Sequence, residues 1–476
     1  MPAKKTTIII TGLLLAANAW SATHYVVPPG TAGVAPAEPY TSWATAGTNI
    51  IEVVNIARDN AAPRTVWVTN GIYYPTNQIV VVNEMQLKSV NGYTNTILNG
   101  ASASTNRCVN LNNSDGIGKE SLFQGFTVTN YTGIVDYFSG TVYGYNAKIF
   151  DCLITGNRVN YSGLGGAYAA GIYALQNVVI SNCTVRGNYA VRSIGGVSMG
   201  SYCQLLDSVI EGNRAGSYYG GGVAMSGGSD ILVSNCYIIN NKFTGSHEAG
   251  GGGITCYVYE SLRNKIVSCV ITGNTSTTYG GGVRIYANGK GEFINCTITG
   301  NSAARNGGGA YADRWLTLRN CLVAQNTAAT NGGGVYLTTS TNTVESCTIV
   351  SNYAVISGGG LYLADSGSAT NNIIYHNTAG VSAANFANTA GNTGLDYSCV
   401  FPAVNGAGNT TNDPRLANLN GGNYRLGKDS PCINTGTNLD WMTTASDLDG
   451  RMRKRYGIVD MGAYEKVYEG SIYTGY

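Results

Sequence analysis

Charge is scarce in this 476-residue chain: Asp, Glu, Lys and Arg make up 11% of it, and the formal net charge is +2. A chain so weakly charged offers no broad electrostatic case for nucleic acid or an anionic membrane as partner. Histidine is scarcer still, with three residues, and there is no C-x-x-C or Cys/His cluster, which argues against a zinc site. Proline is low at 10 and 43% of the residues are hydrophobic, which excludes general disorder. Past the first 22 residues no apolar run is long enough to span a bilayer, so no transmembrane segment is expected in the mature chain.

What is abundant is glycine, with 65 residues, tyrosine with 33, and cysteine with 12. The N-terminus has the form of a secretory signal. Lys4 and Lys5 precede a short apolar stretch at 8–17, and Ala17-Asn18-Ala19 supplies small residues for cleavage, with Ala22 as a second position. The expected location is therefore extracellular, or the cell surface or outer membrane of a bacterium.

The body of the chain repeats itself. NCTITGNSAARNGGGAYAD at 295–313 is followed by NCLVAQNTAATNGGGVYLT from Asn320 and SCTIVSNYAVISGGGLYLA from Ser346. One template aligns Asn130, Asn157, Asn188, Asn213, Asn241, Asn274, Asn301, Asn326, Asn352 and Asn377, at spacings of 25–33 residues. Five residues earlier stand Gly125, Cys152, Cys183, Ser208, Cys236, Cys269, Cys296, Cys321, Cys347 and Asn372. Segments such as Val335-Tyr336-Leu337 and Cys347-Thr348-Ile349 alternate with period two, and no unit holds a helical stretch. Two or three short strands in a unit this small cannot bury a face alone, so units must stack. A parallel β-helix puts the same residue above itself on every turn, about 4.8 Å apart. On that reading Asn157, Asn188, Asn213, Asn241, Asn274, Asn301, Asn326, Asn352 and Asn377 form an inward amide ladder. The glycines serve positive φ or close approach, and Asn342 is a surface residue. The cysteines of the column are buried free thiols, because parallel in-register side chains do not readily reach disulfide torsions. Cys399 and Cys432 lie beyond the repeats and can pair.

The ends differ from the middle. Residues 48–62 place Ile50, Ile51, Val53, Val54, Ile56 and Ala57 on one broad helical face, as expected of a helix covering the open end of the coil. Residues 23–63 thus read as an N-terminal cap, 64–395 as the β-helix, and 396–476 as a loop-rich C-terminal cap. The GGG-V-Y and C-T-I-x-x-N units resemble the right-handed parallel β-helices of the pectin-lyase-like superfamily, and also the repeats of chlamydial polymorphic outer-membrane proteins. The tail, YRLGKDSPCINTG followed by DLDGRMRKRYGIVDMGAYE, resembles the choice-of-anchor Q region of secreted bacterial β-helix proteins. The resemblance implies an exported all-β protein. It leaves activity open, because such folds carry lyases, hydrolases, adhesins and structural rods.

The residues narrow that choice. A hydrolase of this kind needs close carboxylates, yet the outward acids Asp207, Glu211, Asp230, Glu248, Glu260, Glu292, Asp313 and Asp365 are scattered. His247-Glu248 is the one adjacent His–carboxylate pair and reads as a solvated loop. Asp447, Asp449 and Asp460 are the densest acids and leave room for Ca2+, although the full calcium loop is missing and neighbouring arginines offer ion pairs instead. The more suggestive feature is an outward column two residues past each glycine run. With its neighbours it brings together Tyr257, Arg284, Tyr286, Tyr311, Asp313, Tyr336 and Tyr362. A line of aromatic rings suits the flat faces of sugars, and Arg284 offers a fork for an acidic group. The bland alternative is tyrosine stacking within a sheet. The expected function is a non-catalytic, adhesin-like protein that binds a polysaccharide or cell-surface glycan. The alternatives are a polysaccharide lyase, ahead of a glycoside hydrolase, and a purely structural rod.

Overall fold

The computed structural model describes residues 22–466 apart from 104–106, 113–118, 134–139, 161–168, 227–229, 258–263, 366, 390–393 and 455–456. The proposed export signal lies outside the described residues except for Ala22. From Ala22 onward the chain winds as a parallel β-helix. Each regular rung holds four short strands rather than two or three, as in Ala310–Ala312, Leu316–Arg319, Leu322–Ala324 and Thr327–Ala328. Each pairs in parallel with its counterpart one rung on, so that Ala310 faces Val335, Leu318 faces Val344, Val323 faces Ile349 and Ala328 faces Ala354.

Single left-handed residues make two of the corners. One precedes the cysteine column, at Asn295, Asn320 and Ser346 with φ 53°, 51° and 52°; the other precedes the asparagine column, at Gly300, Gln325 and Ser351 with φ 62°, 58° and 56°. The glycine run divides its labour. Gly307 takes a φ of +72°, whereas Gly309 is required by close approach, since a Cβ there would stand 2.5 Å from the Gly334 carbonyl oxygen.

Inward Val, Ile, Leu and Cys side chains form one continuous core from Val26 to Val400. Each such aliphatic side chain contributes about 1.5–3 kcal/mol by its burial. The asparagines run through this core as a ladder. The Asn326 backbone N–H and Nδ2 both donate to Asn352 Oδ1 at 2.9 Å, Nδ2 also donates to the Ile298 carbonyl, and Asn326 Oδ1 accepts from Asn301 in turn. The pattern continues through all nine ladder positions and closes on Asn385, so every amide is satisfied. All twelve cysteines are buried and free. Column thiols donate to backbone carbonyls, as Cys321 does to Phe293 and Arg319. Burial pushes Cys203 and Cys256 up to about 12.

Four further expectations change. In the first unit the columns are held by Phe126 and Tyr131, not Gly125 and Asn130, because Leu153 pairs with Thr127. Gly125 and Asn130 are instead the left-handed corners, at φ 84° and 61°. Asn342 is fully buried: its Oδ1 accepts from Leu316 N–H and its Nδ2 donates to Thr339 O. Cys399 and Cys432 share one buried cluster as free thiols rather than as a disulfide.

The fourth change concerns the C-terminal cap. Its first stretch does turn over the last rung, where Val404 packs on the core and Asn385 Nδ2 donates to Phe401 O. The remainder lies along the flank. Tyr424, Leu426, Met461 and Tyr464 pack on the outward residues Leu322, Ala324, Val350 and Ile373. At the other end, helix α1 (Ile50–Arg58) buries Ile50, Val53, Val54 and Ala57 against the first rungs. The side chain of Asn49 caps it by accepting from the N–H groups of Ile51 and Glu52.

Candidate functional site

The outward column past the glycine runs is in register as expected. Thr255 faces Arg284, Arg284 faces Tyr311, Tyr311 faces Tyr336 and Tyr336 faces Tyr362. Three of the rings form a parallel stack, with centroids 5.1 Å apart for Tyr311–Tyr336 and 4.7 Å for Tyr336–Tyr362, at interplanar angles of 2° and 11°. Leaving the core is not the same as reaching water, however. The segments between the asparagine ladder and the next glycine run fold back over the upper part of this face. Tyr336 and Tyr362 remain half-exposed, while Tyr311 is 9% and Arg284 2% exposed.

Arg284 therefore does not play the part of an open anion fork. Its Nη2 donates to Asp313 Oδ2 at 3.0 Å, its Nη1 to the Ile285 carbonyl at 2.7 Å and its Nε to the Glu248 carbonyl at 2.9 Å. Its guanidinium carbon lies 4.4 Å from the centre of the Tyr311 ring, 5.0 Å from Tyr286 and 5.5 Å from Tyr279. Asp313 Oδ2 also accepts from Ala287 N–H at 2.7 Å. This buried cation clamps the turn at 245–250 onto the sheet face.

Held there, His247 and the exposed Glu248 form one wall of an open cleft of about 450 Å³. The turn is thus solvated as expected on its outer side, while the half-buried His247 ring faces neighbouring rings. Arg192, Ser217, Tyr218, Ser246 and Tyr286 complete it. The His247 ring lies 4.5 Å from Tyr218 and 6.0 Å from Tyr286, and Arg192 lies over Tyr218 at 5.3 Å. Tyr257, half-buried beside it, stacks on Tyr219 at 3.9 Å. His247 Nδ1 accepts from Ala249 N–H at 3.2 Å, so the neutral ring carries its proton on Nε2. Burial lowers the His247 pKa and favours that neutral form. Glu248 stands 3.9 Å from Arg305. Sequence reasoning missed Arg192, Tyr218 and Tyr219 altogether. Their signal was the pairing of rings and cations in turns of irregular length, which no column alignment picks out.

The candidate calcium ligands are directed elsewhere. Asp447 accepts from the N–H groups of Asp449, Arg451 and Glu465. Asp449 pairs with Arg425 and Arg451, and Asp460 accepts from Asn434 and Lys466 N–H. Among the described residues no group of three or more His, Cys, Asp or Glu side chains converges as a metal site. The fully buried Arg453 donates to the carbonyls of Gly462 and Asp460 and lies 3.2 Å from Glu465. Burial pushes the Glu465 carboxyl up to about 8 despite that neighbour.

The chain belongs to the right-handed β-helix family, whose model, "Right handed beta helix region", matches residues 66–315 and 257–393. Among solved structures it is similar to the A-module of the Azotobacter vinelandii mannuronan C-5 epimerase AlgE6, with 14% identity and a TM-score of 0.33 over 73% of this chain and 93% of that one. No curated protein matches its sequence. Among the described residues no helix is long and apolar enough to cross a membrane.

Proposed function

We infer that this is an exported, surface-displayed β-helix protein that binds a glycan without cleaving it. The observation that carries this reading is the cleft, where Tyr218, Tyr286 and His247 present ring faces beside Ser217, Ser246 and Arg192. Sugar rings have apolar C–H faces and a hydroxyl edge, and such a mixed wall meets both. The half-exposed edges of Tyr336 and Tyr362 extend the same aromatic surface along the rod axis. The Arg284 cage, which the sequence reading placed in contact with sugar, supports the binding wall from beneath.

A second reading, a polysaccharide lyase, is favoured by the neutral imidazole between two tyrosines. A lyase base must hold a free lone pair facing the substrate. In His247 the unprotonated Nδ1 is engaged by Ala249, and Nε2 carries a hydrogen. That arrangement supports donation to a sugar oxygen rather than proton abstraction. The test is titration of the purified chain with a panel of neutral and acidic polysaccharides, with chain length measured in the same samples. Binding with unchanged chain length is expected. Unsaturated fragments would establish the lyase instead, and no binding across the panel would remove the glycan reading.

A further inference from the structure

We propose that a second surface, the outward column Arg158–Tyr189–Arg214–Lys242, is a docking track for a polyanionic glycan strand lying along the rod axis. The four residues hold one template position, directly after the asparagine ladder, on four consecutive rungs. Arg158 pairs in register with Tyr189, Tyr189 with Arg214, and Arg214 with Lys242. At about 4.8 Å per rung the column is roughly 14 Å long. Arg158, Arg214 and Lys242 are exposed. Tyr189 is held between two guanidiniums, Arg158 at 4.8 Å and Arg214 at 5.1 Å from its ring centre, which fixes both cations on the line. Exposed Arg186, on the same rung as Tyr189, adds a fourth positive charge. Glu211 is its register partner on the next rung.

None of these four cations belongs to an ion pair among the described residues, whereas Arg284, Arg319, Arg425 and Arg453 all do. Like charges on neighbouring rungs cost stability. A chain whose net charge is only +2 nevertheless concentrates four cations against one carboxylate here. The contacts of Arg158 and Arg214 with Tyr189, Asn160 and Thr244 offset part of that repulsion in the folded chain, and an anionic partner would relieve the rest. The line is one residue wide, which fits a linear polymer rather than a membrane plane. Both faces of Tyr189 are covered by guanidinium, so no ring remains for the base stacking that single-stranded nucleic acid uses. A strand carrying about one anionic group per rung step, ~5 Å, would match the track. This surface shares no residue with the Tyr218–Tyr286 cleft, although Arg214 donates to Thr244 close to the cleft residue Ser246, and it stands whether or not that cleft takes sugar.

The test uses the full chain with dextran sulfate, neutral dextran, polygalacturonate and an oligothymidylate as probes. Dextran sulfate and polygalacturonate are expected to bind, with affinity falling steeply as salt is raised, and neutral dextran is expected not to compete. Combined Arg158→Gln, Arg214→Gln and Lys242→Gln should weaken dextran sulfate binding about tenfold and change the melting temperature little, since relief of like-charge repulsion offsets the lost contacts to Tyr189. Arg214→Gln alone should give part of that loss. The equal charge change Lys265→Gln, Lys428→Gln and Lys454→Gln on other surfaces should alter binding less than about twofold. An equal loss in that control, competition by neutral dextran, or equally tight oligothymidylate binding would each overturn the proposal. Loss of neutral-glycan binding in cleft variants, with dextran sulfate binding intact, separates the two sites.

Discussion

Two columns of this rod obey the same stacking geometry and carry opposite lessons. The asparagine column repeats one residue type on nine rungs from Asn157 to Asn377, and each amide bonds the next. The column past the glycine runs reads Tyr173, Ser198, Ala224, Thr255, Arg284, Tyr311, Tyr336 and Tyr362. In the first, the only neighbours are the rungs above and below, so the same residue solves the same problem each time. In the second, what covers the sheet varies from rung to rung, and the residue varies with it.

The largest effect is expected where the repeat is strictest. Asn326→Leu removes the acceptor for Asn301 and the donor to Ile298, and should cost about 3 kcal/mol in denaturant unfolding. Asn342→Leu, also buried but outside the ladder, should cost less, about 1–2 kcal/mol. Equal effects would erase the distinction between ladder and isolated amide. Next comes the variable column. Arg284→Met keeps the bulk but drops three hydrogen bonds, one of them the Asp313 ion pair, and should cost about 2 kcal/mol. It should also raise hydrogen exchange at 245–250, while exchange on the asparagine ladder stays unchanged.

A smaller effect should appear on the flank. Glu465 is held up to about 8 by burial, so the stability it contributes is full below its unfolded value and is lost as pH rises through about 8. His247, shifted down, works in the opposite sense, with stability lost as pH falls below the free-imidazole range. The difference between the chain and Glu465→Gln isolates the first term. The melting temperature of the unsubstituted chain should fall relative to the variant between about pH 5 and 8, and parallel curves would refute the shift.

The same contrast explains what the sequence disclosed. The ladder, the buried thiols, the two uses of glycine and helix α1 were legible because each is fixed by period or by local amphipathicity. The register of the first unit slipped by one because Gly125 and Asn130 look like column residues but are its left-handed corners. Asn342 was misplaced because burial there depends on a bond to Leu316 a rung away. The tyrosine column was legible as a line. Its cover was not, since Tyr218, Tyr219 and His247 sit in turns whose length changes between rungs. Period-two alternation separates core from outside but says nothing of what folds over the outside. The flank packing of Tyr424 and Met461 escaped for the same reason: Leu322 and Ile373 point outward, and only the return of the distant tail buries them.

The most direct measurement is calorimetric titration of the best-binding neutral polysaccharide from the panel, as a short oligosaccharide, into the chain and into two double variants. With Tyr218→Ala and Tyr286→Ala, Kd should rise about tenfold or more while the melting temperature changes little. With Tyr336→Ala and Tyr362→Ala, Kd should rise only about two- to threefold. Unchanged affinity in the first variant, or a larger loss in the second, would contradict the assignment of the cleft as the binding site.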